Sequence, residues 1–583
     1  MLLSNLDILA TAPGGVARLR ELILTLAVQG KLVPQDPADE PASVLLQKTR
    51  AEKDRLIAEG KIRRDKPLAE MAEEEKPFEL PMGWEWVKGR DLFTVVRGVT
   101  YQKADAKDAP AEGLLPILRA NNIRGSINFD DLVYVPASLI SEDQLLRSGD
   151  YVVCLASGSK NLVGKAAPFR PEVTCSFGAF CGAIRPITDA AYFAVYLASP
   201  MYRESVSEAS AGIGINNLKG SSLLDLDIAL PPLAEQSRIV TRVEELMRLC
   251  DALEAKGQLE AAQHAQLVST LLGTLTASAT PEELADHWQR VAQHFDLLAG
   301  RPAAIAALEQ TLLQLAVRGL LVPQDPQDEP ASVLLQRIRA EKDRLIAAGQ
   351  IKRDKPLPPI TDEEKPFELP VGWEWVRMGA VVNASEAGWS PTCIGSPRRQ
   401  GLWGVLKVSA VSWGEFDANA NKELPSDLVP RPEYEVRDDD FLLSRANTAE
   451  LVARSVVVEQ AEPKLMLSDK IIRLAVSSQM NRSFLNMANN ASYAREHYAV
   501  NASGTSSSMK NVSREVVLAL PVPLPPLPEQ SRIVTRVTAL RRLCADLRQR
   551  LAERQSVQAR LAEALVANNA QTSTQQEDEC HAA

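Results

Sequence analysis

The chain carries much of its own sequence twice, and any fold it adopts must accommodate that duplication. Residues 26–37 (LAVQGKLVPQDP) return as 315–326 (LAVRGLLVPQDP), 41–57 (PASVLLQKTRAEKDRLI) as 330–346 (PASVLLQRIRAEKDRLI), and 76–86 (KPFELPMGWEW) as 365–375 (KPFELPVGWEW), all at an offset of 289. PPLAEQSRIVTRV at 231–243 returns as PPLPEQSRIVTRV at 525–537, an offset of 294. Each half is a near-identical frame around a divergent insert, roughly 88–228 and 377–522, and the change of offset lies inside the inserts. The inserts still align faintly. Leu118-Arg119-Ala120-Asn121 stands opposite Leu406-Lys407-Val408-Ser409, and Gly149-Asp150-Tyr151-Val152-Val153 opposite Asp439-Asp440-Phe441-Leu442-Leu443. Ser157-Gly158-Ser159 falls opposite Asn447-Thr448-Ala449. A shared scaffold with different polar residues is what two domains of one fold reading different targets would show; neutral drift after duplication is the plainer alternative.

At 583 residues the chain exceeds a single core. Its 45% hydrophobic and 24% charged content is that of a globular protein. Seven cysteines form no CxxC pair, and with five histidines there is no zinc-ligand spacing. Scattered thiols predict a reducing, cytoplasmic setting. The start (MLLSNLDILATAPGG) lacks the basic and apolar regions of a signal peptide, and no run of about 18 apolar residues could span a bilayer.

After each Pro-Pro the pattern turns helical. Ile239, Val243, Leu246, Cys250 and Leu253 form a 4-3-4-3 seam, repeated by Ile533, Val537, Leu540, Cys544 and Leu547 and continued through Leu551, Leu561 and Leu565. In a two-fold arrangement two such helices pair antiparallel; each could instead pack on its own domain. Residues 15–29 and 304–318 read as a second helix type, with Leu19, Leu22, Ile23, Leu26 and Leu308, Leu312, Leu315 on one face. Residues 43–59 and 332–348 read as a charged helix, a solvated arm carrying Lys53, Asp54 and Arg55 outward. The stretches 60–80 and 349–369 read as connectors, 191–209 and 481–498 as helices. The inserts are otherwise strand-rich, with Leu114–Leu118, Tyr151–Leu155, Gly178–Ile184, Val405–Val408, Phe441–Leu443, Ser455–Val458 and Ile471–Ala475 as candidate strands.

Catalytic signatures are missing. There is no Asn- or Asp-Pro-Pro-aromatic loop for adenine methylation. GSKNLVGKA, beginning at Gly158, has one residue too many for a P-loop and ends in Ala166, so it reads as a basic turn. Glu74-Glu75-Lys76 and Glu363-Glu364-Lys365 match the tail of a nuclease pattern but lie in the connectors, where a solvated charge run is expected.

Base edges are read by Arg or Lys at guanine and Asn or Gln at adenine, and phosphates are held by basic and hydroxyl side chains. The first insert offers Arg119, Asn121, Asn122 and Arg124 after a strand, then Ser157, Ser159, Lys160 and Lys165. The second offers Lys407 and Ser409, then Arg445, Asn447, Thr448 and Arg454. Lys219 and Lys510, with Arg203 and Arg495, are further candidates. The charge balance opposes a freestanding DNA binder: the net charge is −10. Residues 81–232 carry 14 basic and 16 acidic residues, and 370–526 carry 16 and 17. Much of the phosphate neutralisation must then come from a partner.

Two variable domains, each followed by a PPLxEQxRIV helix and opened by LPxGWEWV, with Leu-Arg-Ala-Asn-Asn-Ile and Gly-Asp-Tyr-Val-Val inside the first, resemble the specificity subunit of type I restriction–modification enzymes. The resemblance covers the whole chain. It implies an α/β (α+β) fold class: two globular target-recognition domains separated by two long helices in an antiparallel coiled coil. The expected layout is an N-terminal helical region (1–80), a first recognition domain (81–232), a central region (233–369), a second recognition domain (370–526) and a C-terminal helix and tail (527–583). Double-stranded DNA, two methyltransferase (modification) subunits and restriction/translocase subunits are the implied partners. Each domain would read one half of a split, asymmetric site. The chain itself would hold no cofactor and catalyse nothing; S-adenosylmethionine, ATP and Mg would belong to the partners. Two alternatives stand beside this: a DNA-independent coiled-coil adapter, and an orphan specificity subunit of a methylation-only system.

Overall fold

A computed structural model describes residues 6–64, 76–170, 173–188, 191–210, 216–278, 280–353, 355–412, 414–504 and 509–580. Glu74 and Glu75 of the first connector lie outside these. The chain forms two compact units, one of residues 1–260 with 554–583, the other of 261–553. These units are drawn across the sequence segments: each joins a frame, a variable domain and parts of both long helices, Leu233–Ala277 and Leu527–Cys580.

Within the first unit, a four-stranded sheet runs in the order Phe93–Arg97, Cys181–Pro186, Tyr151–Cys154, Ala166–Pro168. A three-stranded sheet runs Val133–Pro136, Leu114–Leu118, Ser176–Phe177. The second unit has the same plan. Its sheets run Val382–Ala387, Ile471–Val476, Phe441–Ser444, Ser455–Val457 and Asn421–Glu423, Gly404–Leu406, Leu465–Met466. The faint alignment of the inserts is thus a shared topology. Gly178–Ile184, read as one strand, is a turn followed by a strand.

Each variable domain begins and ends at one place. Glu85–Lys88 pairs antiparallel with Asp227–Leu230, and Glu374–Arg377 with Pro521–Leu524. With both ends clamped by a strand pair, the residues between can diverge without disturbing the frame.

The frame is held by a latch that explains the repeated motifs. Trp84 Nε1 donates to Glu235 Oε2 at 2.9 Å and Gln35 Nε2 to Glu235 Oε1 at 3.1 Å. Trp373 and Gln324 make the same bonds to Glu529 at the same 2.9 and 3.1 Å. Arg238 pairs with Asp39, and Arg532 with Asp328. Gln236 and Gln530 donate to the carbonyls of Pro231 and Pro525. Phe78 packs against Trp86 and Phe367 against Trp375, each pair tilted with ring centroids 5.0 Å apart. Gly30 has φ +70°, and a Cβ there would lie 2.5 Å from Pro81, so only glycine fits. Burial pushes the Glu235 and Glu529 carboxyls up, and the Trp and Gln donors pull them back. Changing Trp84 to Phe removes a donor from a buried carboxylate and should cost about 1–3 kcal/mol. Trp373→Phe should cost the same in the second unit; a marked inequality in urea unfolding would contradict equivalent latches.

The residues of the predicted seam pack in three cores, and one position further along departs from the pattern. Ile239, Val243 and Cys250 are buried in the first unit, with Leu246 and Leu253 packed against them. That core also takes Ala562, from the C-terminal half of the second long helix. In the second unit Ile533 and Val537 enter the domain core. There Cys544 and Leu551 share another core with Val268, Leu272 and Leu275 from the end of the first long helix, with Leu540 and Leu547 against it. Start meets end in each unit, so the helices run antiparallel. Leu561, expected in the seam, is 46% exposed, and Ala562 is buried instead. A helix of 3.6 residues per turn drifts off a strict heptad, and past Leu551 the buried face has moved by one residue.

Two more expectations change. The charged helices are not solvated arms. Ala42–Ala58 buries Ala42, Leu46, Thr49 and Lys53, and Lys53 Nζ donates to Arg90 O at 2.7 Å. Lys342 does likewise to Gly379 O. The alkyl stem is buried and the ammonium holds carbonyls across on the variable domain. Glu363-Glu364-Lys365 is not merely a solvated run, since Glu364 pairs with the buried Arg377.

Each helix read over 191–209 and 481–498 is two: Tyr192–Ala198 with Pro200–Ala209, and Arg482–Asn490 with Ser492–Asn501. Pro200 lacks an N–H and Ser199 is extended, its hydroxyl capping the next helix. Ala491 takes the same backbone shape without proline. A helix at Pro281–Gln293, unread in the sequence, packs Leu284 and Val291 into the second unit. No helix among the described residues is long and apolar enough to cross a membrane.

Candidate nucleic-acid interface

In each domain three chain reversals meet. The first follows strand Leu114–Leu118. Asn122 accepts Arg119 N at 2.9 Å and donates to Asn128 O at 3.0 Å and Asp130 O at 2.8 Å. Asn122 is 1% exposed, with both amide hydrogens and one Oδ1 lone pair committed inside the loop, so it shapes the loop. Arg119 is half-buried, and its guanidinium donates to Asp131 O. Asn121 and Arg124 are exposed beside a tight turn closed by the Ile123–Ile127 bridge. In the second domain Lys407 and Ser409 are half-buried on the corresponding turn, Val408–Val411.

The second reversal joins Tyr151–Cys154 to Ala166–Pro168. Ser159 and Lys160 are exposed at its tip. Arg203 donates to Val163 O and Asn161 O, and Tyr202 Oη to Gly164 O, fixing the loop from behind. Arg495 does this in the second domain, on Val452 O and Ala453 O. Arg203 and Arg495 are therefore supports. Lys165 and Arg454, half-buried at matching positions, accept Cys154 N and Ser444 N through their carbonyls. Burial lowers the Arg454 pKa.

A short strand from the C-terminal part of each domain pairs with this loop. Ser157 faces Asn216 and Ala156 faces Asn217; Asn447 faces Lys510 and Ala446 faces Asn511. This pairing brings Lys510 to Asn447, two candidates far apart in sequence, and sets Lys219 two residues past Asn217. Asn447 Nδ2 donates to Ser412 Oγ at 2.9 Å, joining the first and second reversals, and its Oδ1 accepts Thr448 N. Asn216, Asn217 and Asn511 escaped the sequence reading. The shared signal was Asn217 and Asn511, each followed by an aliphatic residue, in otherwise dissimilar stretches.

The third reversal is the turn Gly178 to Cys181, and Ser468 to Ile471 in the second domain. Gly178 N donates to Leu118 O, and Phe180 O accepts Leu155 N and Ala156 N. Among the described residues, no cluster of three His, Cys, Asp or Glu side chains is placed to hold a metal. The arrangement presents amides, hydroxyls and cations on loops that neighbouring strands hold still, which is the chemistry of nucleic-acid contact.

Comparisons with known proteins place the chain among its relatives. The family described as "Type I restriction modification DNA specificity domain" matches residues 81–263. The chain is 40% identical over 579 residues to the type I restriction enzyme EcoEI specificity subunit of Escherichia coli, covering 94% of this chain and 93% of that one. It is 35% identical over 582 residues to the EcoAI specificity subunit of Escherichia coli, with the same 94% and 93% coverage. A solved structure titled for complex assembly and conformational transition of the type I R-M system aligns at TM-score 0.46 and 17% identity, over 85% of this chain and 99% of that chain. With such identity to two specificity subunits over nearly its whole length, the chain belongs to the family of type I restriction enzyme specificity subunits.

Proposed function

We propose that the chain reads a bipartite, asymmetric DNA site, one half-site per variable domain, for two modification subunits that supply S-adenosylmethionine and for restriction subunits that supply ATP-driven chemistry. One observation carries this reading. The two domains repeat one topology strand for strand, while the residues on their matched loop tips differ: Ser157 and Asn216 in one, Asn447 and Lys510 in the other. Drift alone would not confine divergence to the inserts while leaving both latches intact.

The frame supports two equivalent partner sites. Met82 and Val371, matched by the duplication, are 81% and 98% exposed on the turn before each Trp of the latch. The loop residues proposed to meet DNA are Arg119, Asn121, Arg124, Ser157, Ser159, Lys160, Lys165 and Lys219 in the first domain. Their counterparts are Lys407, Ser409, Arg445, Asn447, Thr448, Arg454 and Lys510. The inserts' near-neutral charge places part of the phosphate contact on the partners. Binding by the isolated chain should therefore be weak, and strongly enhanced by a modification partner. Gel shifts at fixed salt test this: sequence-independent or absent binding in the complex would leave a DNA-independent adapter.

The seam yields a separate expectation. Inserting or deleting one heptad after Cys250, with a matching change in the second helix, should alter the spacer between half-sites and leave their sequences unchanged. Methylation-site sequencing reads both, and altered base preferences would defeat the modular reading.

A further inference from the structure

Phe180 is a large apolar side chain 64% exposed to solvent. A lone exposed apolar residue is ordinary on a protein surface. Its position is not. It tips the turn from Gly178 to Cys181, closed by Cys181 N donating to Gly178 O at 2.8 Å. On one side Gly178 N holds Leu118 O, where the Arg119–Arg124 loop begins. On the other, Phe180 O accepts Leu155 N at 2.8 Å and Ala156 N at 3.0 Å, where the Ser157–Lys165 loop begins. The turn is therefore wedged between the two candidate loops.

The second domain builds the same turn. Ile471 N donates to Ser468 O at 3.0 Å, and Arg445 N to Lys470 O at 2.7 Å, so Lys470 occupies the place of Phe180. Lys470 is exposed and lies 3.3 Å from Asp469, which Ser390 Oγ holds at 2.5 Å. One backbone site thus carries an aromatic ring in one domain and an ammonium in the other. Neither side chain is needed to close the turn, because backbone groups close it in both.

Resting on the DNA-reading function above, we propose that this tip is a base-reading position whose identity sets one base pair of each half-site. Phe180 offers only apolar contact, which suits the thymine C5-methyl in the major groove. Lys470 offers donors, which suit the guanine O6 and N7 acceptors.

The test uses the full chain assembled with its modification partner, binding DNA pools randomised across the site at one salt concentration. Phe180→Ala should reduce discrimination at one base pair of one half-site by about ten- to hundredfold. Phe180→Leu should retain the preference for an A·T pair there, and Phe180→Lys should move it toward G·C. Lys470→Ala should relax one base pair of the other half-site alone. Unchanged preferences, a uniform loss of affinity across all sequences, or relaxation in both half-sites would each overturn the assignment. If the unaltered complex itself shows no sequence preference, the DNA-reading function fails as well, which separates the two. Thermal melting of each variant should match the parent, as the ring and the ammonium are exposed.

Discussion

Replacing Asp150 by alanine should destabilise the first unit by about 3–5 kcal/mol, because among the described residues it strips the carboxylate that pairs with the largely buried Arg185 guanidinium. Arg185 Nε and Nη2 donate to Asp150 at 2.9 and 2.8 Å, and the pair is 17% and 2% exposed. Asp150 also accepts Arg147 N at 2.8 Å, fixing the turn before strand Tyr151–Cys154. With Asp150 gone, Arg185 keeps only the carbonyls of Asp143 and Leu145. The second domain has the same pair, Arg473 with Asp440. There Arg473 also holds Glu386 at 2.7 Å, so Asp440→Ala leaves a counter-charge and should cost less, about 1–3 kcal/mol. Hydrogen exchange resolves the two: Asp150→Ala should open residues 145–186 and leave 433–476 protected. Equal losses would show that Glu386 contributes nothing.

Removing Glu364 should destabilise the second unit in a pH-dependent way. Arg377 is 7% exposed, and its guanidinium takes Glu364 in two bonds, at 2.8 and 2.7 Å. Carbonyls of Pro358, Pro359 and Ala519 satisfy the rest. Glu364→Ala keeps those but leaves the charge unpaired. Glu364 is itself 39% exposed, so solvent screens part of the loss and the cost falls toward the lower end of about 1.5–3 kcal/mol. The Arg377 hydrogen bonds, with that from Thr361 N, hold the Glu364 carboxyl at about 2. A depressed carboxyl stabilises the folded state above its unfolded pKa of about 4.3, and that gain fades as pH falls through the folded value. The difference between parent and Glu364→Ala should be full above about pH 5 and shrink between about pH 4.3 and 2. Urea unfolding across that range measures it; a difference independent of pH would mean the loss is one of packing. Lys88 stands at the position matching Arg377 in the first half and pairs with Asp227; Glu75, which matches Glu364 in sequence, lies outside the described residues.

The duplication, the helical seam pattern and the confinement of divergence to the inserts were legible in the sequence, because each depends on periodicity or identity along the chain. Ile239 and Ile533 could be assigned to a seam from spacing alone. So could Leu308, Leu312 and Leu315, which lie on one helix face. Lys53 could not. Its charge argues for solvent, and only the docking of its helix against Arg90 O reverses that. Asn122 has the right chemistry for adenine, yet its four hydrogen-bonding positions are largely spent inside its own loop. Leu561 obeys the heptad and is exposed because a straight helix does not.

Glu235 shows the same division. Its repetition at Glu529 could be read off the chain, but not its partners, Trp84 and Gln35, which lie 151 and 200 residues away. The β-rich run from Gly178 to Ile184 predicts Phe180 within a strand, and only the fold makes it the tip of a turn. Sequence by itself determined that this protein is two versions of one unit, because repetition and helical periodicity are local properties of the chain. Tertiary structure alone decided which polar side chains are spent on the scaffold and which are offered to a ligand. That depends on hydrogen bonds and burial between residues far apart in sequence, which no local pattern records.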